Sequence, residues 1–203
     1  SKVHALAKAL HALPSDRYLL AVSGGRDSMA LLHAFARARR AELTAVATFD
    51  HGTGPAATQA VERVVGECLV RSIPVVAGRA PESARTPRRS ESEWRAARWK
   101  FLRAVAEERR ATIVTAHTFD DQAETVAMRI LRGASARGLA GMAASTQGVV
   151  RPLLGVRRSE LAAYAAAERV EYADDPSNAD RAHLRNRLRA DLMAVIETHH
   201  PHF

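Results

Sequence analysis

Residues 18–32 read YLLAVSGGRDSMALL, and the fold follows from how this stretch breaks in its middle. The segment 17–23 is almost wholly apolar and too short for a helix, so it reads as a buried strand. Residues 29–40 carry apolar side chains at helical spacing. Between strand and helix stand Ser23, Gly24, Gly25, Arg26, Asp27 and Ser28. The glycine pair lets the backbone turn and approach a ligand, Ser23 and Ser28 offer hydroxyls, and the helix start presents unpaired N–H groups at its positive end. Such a loop seats an anion of phosphate type. Arg26-Asp27 stands where a Walker A loop needs its lysine, and no GxGxxG is present, so kinase-type and dinucleotide loops are both excluded. A plain turn, with Asp27 complementing the helix dipole, is the simpler alternative.

Outward from this unit the alternation repeats. Strands are expected at 43–49, 73–77, 112–116 and, more weakly, 148–153. Helices are expected at 3–13, 56–71 with Val61, Val64, Val65 and Leu69 inward, 91–110, 120–132, 159–169 and 181–196. Ala123, Val126, Ala127, Ile130 and Leu131 mark the 120–132 helix. Alternating strand and helix gives an α/β fold, a parallel sheet flanked by helices on both faces, with its ligand site beyond the carboxyl ends of the strands.

Composition narrows the function classes. Of 203 residues 47% are apolar and 26% charged, proportions that exclude a disordered or fibrous chain. The apolar runs are too short to span a bilayer, and SKVHALAKAL lacks the pattern of a secretory signal, so no membrane partner and a cytoplasmic location are expected. Cys68 is the single cysteine, which excludes an internal disulfide and any chemistry needing paired thiols. Net charge is +8, and all but Lys2, Lys8 and Lys100 of the 30 basic residues are arginines. Arginine forks suit phosphates, hence nucleotide or nucleic acid; a codon bias toward arginine is the competing explanation.

Candidate site residues cluster at predicted strand ends. Asp121 and Glu124, three apart at a helix start, put two carboxylates on one face, opposite Val126 and Ile130, where they can grip an ammonium or simply complement the helix dipole. His117 and His51 each follow a strand, as nucleotide contacts or as local hydrogen-bonding residues. Arg95 and Arg98 share a helix face, with Trp94 and Trp99 as packing residues, and Arg185 and Arg189 lie four apart on the last helix. Arg79, Arg85, Arg88 and Arg89 make the 79–89 loop either a backbone contact for an RNA or a solvated surface.

The strings SGGRDSMALLH (23–33), FDHG (49–52), TAHTFDDQAET (115–125), RGASARGLAGM (132–142), RPLL (151–154), DDPSN (174–178) and RNRLR (185–189) occur in an order that resembles the catalytic domain of the tRNA(Ile)-lysidine synthetases. These belong to the N-type ATP pyrophosphatases, with an adenine nucleotide alpha hydrolase-like fold. The resemblance implies a catalytic domain over 1–155 and a short helical extension over 156–203. It implies ATP as substrate, its pyrophosphate held by Ser23 to Ser28, with Mg2+ near Asp27, which is catalytic. It implies Asp121 and Glu124 as the lysine-recognising pair. The implied partners are free L-lysine and the isoleucine tRNA with a CAU anticodon, whose wobble cytidine is adenylated and then converted to lysidine, releasing AMP and diphosphate: a carbon–nitrogen ligase. Two departures stand out. Thr118 replaces a histidine common in the family, and Thr53-Gly54-Pro55 follows FDHG where Leu-Arg is usual. Many relatives continue past the position of Phe203 into tRNA-binding domains, as expected if this chain is a catalytic fragment or a minimal form. The rivals are another adenylating enzyme of this loop type, such as NAD synthetase, or a nucleotide- or RNA-binding module without turnover.

Overall fold

The computed structural model describes residues 3–80, 91–135, 139–173, 187–188, 191 and 194–199. In chain order the elements are α1 (Val3–His11), β1 (Tyr18–Ala21), α2 (Arg26–Ala38), β2 (Leu43–Asp50), α3 (Pro55–Val70), β3 (Val75–Arg79), α4 (Glu91–Arg109), β4 (Thr112–Val114), α5 (Phe119–Leu131), β5 (Ser145–Thr146), β6 (Val149–Val150), α6 (Arg158–Ala167) and α7 (Ala194–His199). Every residue of β1 is buried, and its side chains alternate between two cores. Tyr18 and Leu20 join Leu6, Leu31, Phe35 and Leu161 on the face covered by α1, α2 and α6, whereas Leu19 and Ala21 meet Leu102 and Val105 of α4 on the other. A strand buried on both faces needs the continuous apolar run that the sequence provides.

The sheet has six strands in the order β3-β2-β1-β4-β6-β5. All pairings are parallel except the edge pair β5–β6. The chain winds from β1 outward through β2 to β3, then crosses back to place β4 on the opposite side of β1. The strand order therefore reverses between β1 and β4, and a crevice opens there at the carboxyl ends. The loop after β1 and the segment after β4 flank it.

Several expectations shift. α2 starts at Arg26, three residues before the expected Met29, so Arg26, Asp27 and Ser28 form the first helical turn. On α3 the inward residues are Val64 and Cys68, while Leu69 is 69% exposed: the buried stripe follows the four-residue step from Val64. On α5 Ile130 and Leu131 are exposed and the buried residue is Glu124, so this helix turns a polar face inward. The weak strand at 148–153 reduces to Val149–Val150, because Pro152 has no N–H for a ladder and opens a 3-10 turn, Pro152–Gly155. The DDPSN segment and most of the expected 181–196 helix lie outside the described residues. No helix among the described residues is long and apolar enough to cross a membrane.

Candidate active site

The loop after β1 is held from inside. The Ser23 N–H donates to Ser28 Oγ at 3.2 Å, and the Ser28 hydroxyl donates to the Gly25 carbonyl at 2.9 Å. Gly24 has φ +90°, a left-handed conformation, and a Cβ there would lie 2.7 Å from the Ala60 carbonyl oxygen on α3. Glycine is thus required at 24 by both backbone and neighbour. Gly25 has φ −73° and caps α2 without any side-chain hydrogen bond to the helix. An added Cβ would meet only Ser23 Oγ, at 3.8 Å. The first N–H groups of α2 face no side-chain cap, the state in which a helix end binds an anion.

Across the crevice, α5 begins at a capping box formed by Thr118 and Asp121. The Thr118 N–H donates to Asp121 Oδ2 at 2.8 Å, and the Asp121 N–H returns a bond to Thr118 Oγ1 at 3.3 Å. Thr118 is fully buried. Thr118 therefore starts the helix and fixes one oxygen of Asp121.

The other Asp121 oxygen, Oδ1, accepts from Arg158 Nη2 at 3.0 Å. The same guanidinium donates through Nη1 to Glu124 Oε1 at 3.0 Å and through Nε to Asp27 Oδ2 at 3.3 Å. One arginine thus ties together the carboxylates of the α2 loop and of α5. Arg158 is the first residue of α6, and its own N–H donates to Asp120 Oδ2 at 2.7 Å, so its backbone is anchored to α5 as well. The Glu124 side chain is only 1% exposed and that of Arg158 18%. Burial works against the guanidinium's charge, but Asp121, Glu124 and Asp27 outweigh it, and its pKa is raised above the usual arginine value.

A basic rim borders these carboxylates. His117, after β4, meets Thr115 Oγ1 through Nδ1 at 2.7 Å. Its pKa is pushed down to about 4, chiefly by burial, with Arg151, Arg98 and Arg95 adding to that and Asp121 opposing it. The imidazole is neutral at pH 7. Burial, then the neighbouring Arg95, also lowers the pKa of both Arg98 and Arg151. Among the described residues no carboxylate pairs with Arg95, Arg98 or Arg151. Arg151 Nε and His51 Nδ1 are buried without a hydrogen-bond partner. His51, whose pKa is lowered by burial and then by Arg98, follows Asp50, a 4% exposed carboxylate that accepts from the Gly52 N–H at 2.7 Å and from Thr58 Oγ1 at 3.0 Å. Asp50 thus folds the FDHG turn. Uncompensated cations beside orphaned donors are the complement of a phosphate.

The family model of the PP-loop domain matches residues 1–196. The chain belongs to the PP-loop domain family. Among curated relatives of this PP-loop chain, the tRNA(Ile)-lysidine synthase of Pseudomonas aeruginosa is 40% identical over 198 residues, covering 91% of the chain and 42% of the relative. That of Rhodopseudomonas palustris is 42% identical, covering 88% and 54%. That of Leifsonia xyli subsp. xyli is 36% identical, covering 96% and 59%. The chain thus spans about half the length of these relatives. In fold it is similar to the U34-tRNA thiolase NcsA of Methanococcus maripaludis, with TM-score 0.79 at 17% identity, covering 98% of this chain and 73% of that one. The NMN synthetase of Francisella tularensis follows at TM-score 0.52 and 14% identity, covering 83% and 68%.

The PP-loop architecture brings together Ser23 to Ser28, Asp121 and Glu124, and beside them His117, Arg95 and Arg98. Arg185 and Arg189 lie outside the described residues, as do Arg85, Arg88 and Arg89 of the 79–89 loop. Arg79 is described and pairs with Asp50, Nε to Oδ2 at 3.3 Å. Arg158, Arg151 and Asp50 were not among the residues singled out from sequence. Arg151 opens the RPLL string, a signal that could have marked it. Arg158 stands in no such string. It lies 131 residues from Asp27, and only the packing of α6 brings the two together.

Proposed function

We propose that this chain carries the catalytic activity of a tRNA(Ile)-lysidine synthetase, a carbon–nitrogen ligase. It joins free L-lysine to the wobble cytidine of a CAU-anticodon isoleucine tRNA at the expense of ATP. The observation that carries this reading is the placement of an anion-binding loop after β1 and a carboxylate pair after β4 on the two sides of one crevice. Relatives bearing the tRNA(Ile)-lysidine synthase name support it over about nine-tenths of the chain.

In the first step the oxygen at ring position 2 of the cytosine attacks the α-phosphorus of ATP, the bond between α- and β-phosphates breaks, and pyrophosphate leaves. The free N–H groups at the α2 start and the hydroxyls of Ser23 and Ser28 hold the departing pyrophosphate, and the Arg95, Arg98 and Arg151 rim offsets the charge on the α-phosphate. His117, neutral at pH 7, donates or accepts one hydrogen bond there without adding charge. In the second step the lysine side-chain amine attacks ring carbon 2, the bond from that carbon to its former carbonyl oxygen breaks, and AMP leaves carrying that oxygen. An alkylammonium with a reference pKa of about 10.4 must shed protons for this, and Asp121 and Glu124 orient it and take up the charge. AMP is a far better leaving group than the original oxygen, so one hard substitution becomes two easier ones.

Asp27 is a partly exposed carboxylate beside the phosphate cradle, the hard-oxygen donor that Mg2+ takes together with phosphate oxygens. Asp27 would hold the ion, which when bound would neutralise charge on the leaving pyrophosphate. Residues 1–155 are the catalytic unit of this reading, and the extension from 156 supplies Arg158. The arginine excess and net charge of +8 suit a tRNA backbone.

The test is incorporation of labelled lysine into isoleucine tRNA transcripts by the purified chain with ATP. The CAU transcript acquires label and a GAU transcript does not. Equal labelling of both, or of neither, sinks the reading.

A further inference from the structure

The two carboxylates assigned to the substrate's ammonium are already occupied. Asp121 gives Oδ2 to the Thr118 cap and Oδ1 to Arg158, and Glu124 gives Oε1 to Arg158. Glu124 is 1% exposed, and the guanidinium bonded to it is 18% exposed. Three carboxylates this close repel one another, and Arg158 is the cation that all three share. No incoming amine reaches Glu124 unless that guanidinium moves.

The movement required is of the side chain alone. The Arg158 N–H is bonded to Asp120, and the Glu160 carboxylate accepts from the Arg157 N–H at 2.8 Å, so the start of α6 stays in place. Asp27 offers the guanidinium a second holding point when it leaves α5, because Nε already rests on Asp27 Oδ2. Asp27 belongs to the first turn of α2, next to the phosphate cradle. A guanidinium drawn toward that end would approach the anionic nucleotide.

We propose that Arg158 is a resident cation of the amine subsite, a positioning residue that keeps Asp121 and Glu124 converged and is displaced from Glu124 by the side-chain ammonium of the incoming lysine. This rests on the lysine-ligase reading. It explains why a partly buried arginine stands where a substrate cation must bind: the subsite stays charge-compensated before lysine arrives, and the substrate cation enters by exchange. Removing Arg158 takes away the cation bonded to all three carboxylates, and the vacated position then favours a cation that fits.

The experiment is equilibrium dialysis of labelled L-lysine against the full chain, for the wild type, Glu124→Gln, Arg158→Ala and Arg158→Gln. The expected result is lysine binding by the wild type, its loss in Glu124→Gln, and binding about tenfold tighter in Arg158→Ala because that guanidinium no longer competes. Methylguanidinium should compete with lysine and raise the melting temperature in Arg158→Ala while leaving the wild type unaffected. If Arg158→Ala does not fold, Arg158→Gln, whose amide still donates to one carboxylate, carries the same expectation to a smaller degree. A crystal of the wild-type chain soaked in lysine should show the guanidinium turned off Glu124. Normal lysine binding by the wild type with weaker or unchanged binding in both Arg158 variants would overturn the proposal, as would lysine seated on Glu124 with Arg158 still in place. Failure of every form, wild type included, to bind lysine would instead remove the lysine-ligase reading, and the proposal with it.

Discussion

Replacing Gly24 and Gly25 by alanine, one at a time, separates what the loop needs to fold from what it needs to bind. At Gly24 the backbone has φ +90°, and the new methyl would stand 2.7 Å from the Ala60 carbonyl oxygen and 2.9 Å from Ala60 Cβ, both within α3. The left-handed conformation costs an alanine about 1–2 kcal/mol. Overpacking against a helix backbone that cannot rotate away adds about 1–3 kcal/mol. Gly24→Ala should therefore lose about 2–5 kcal/mol, a large share of a total near 5–15 kcal/mol. At Gly25 φ is −73° and the nearest atom, Ser23 Oγ, is 3.8 Å away. Alanine at this cap costs under about 1 kcal/mol. With a urea slope of about 2 kcal/mol/M, the midpoint falls by about 1–2.5 M for Gly24→Ala and by less than about 0.5 M for Gly25→Ala. The methyl at 25 nevertheless enters the anion cradle, so tRNA-dependent exchange of pyrophosphate into ATP should fall at least about tenfold in a chain of near-normal stability. Equal destabilisation by the two changes, or wild-type exchange in Gly25→Ala, would refute the assignment of the loop.

Other residues divide by step. Asp27→Ala should abolish adenylation, whereas Glu124→Ala should spare pyrophosphate exchange and mainly harm lysine transfer; near-wild-type activity in both variants would contradict their roles. Thr118→Ala removes the α5 cap and one anchor of Asp121, so it should cost about 1 kcal/mol in urea denaturation and raise KM for lysine more than that for ATP. A variant with unchanged stability and KM would show that the threonine neither caps α5 nor positions Asp121. His117 has a folded-state pKa of about 4, below its unfolded value, so the unfolded chain takes up the proton first as pH falls. Its contribution is intact above about pH 6.5 and is lost progressively toward pH 4, by about 1–2 kcal/mol after allowance for its partial exposure. His117→Asn should flatten this fall in urea midpoints measured between about pH 7.5 and pH 5. A decline equal to the wild type's would sink the argument.

The fold was legible because each early unit is locally unambiguous. The run from Tyr18 to Val22 is apolar without a break, the glycine pair ends it, and α2 follows with buried residues at helical spacing. The boundary at Arg26 was missed because the loop's polar residues carry no apolar period, although their N–H groups already belong to the helix. Inward faces were read less well wherever a short chain segment offers two apolar stripes. Cys68 rather than Leu69 packs under α3, and on α5 the buried face is the one holding Glu124. Periodicity reports where apolar residues lie, not which face meets the sheet. Strand order, the β5–β6 edge pair and the meeting of Asp27 with Arg158 are tertiary facts without local signature. The carboxylate pair and the loop were legible because their residues are close in sequence. The cation that joins them was not.

In the proposed reaction the crevice cleaves ATP between its α- and β-phosphates so that lysine can replace the carbonyl oxygen at position 2 of the cytosine. The direct test follows ATP labelled in the α-phosphate, in one reaction with labelled lysine and the CAU tRNA, and counts products. One labelled AMP, and no ADP, is expected for each lysine attached to the wobble base. Labelled ADP as the product, or AMP formed at a rate indifferent to both lysine and tRNA, would contradict it.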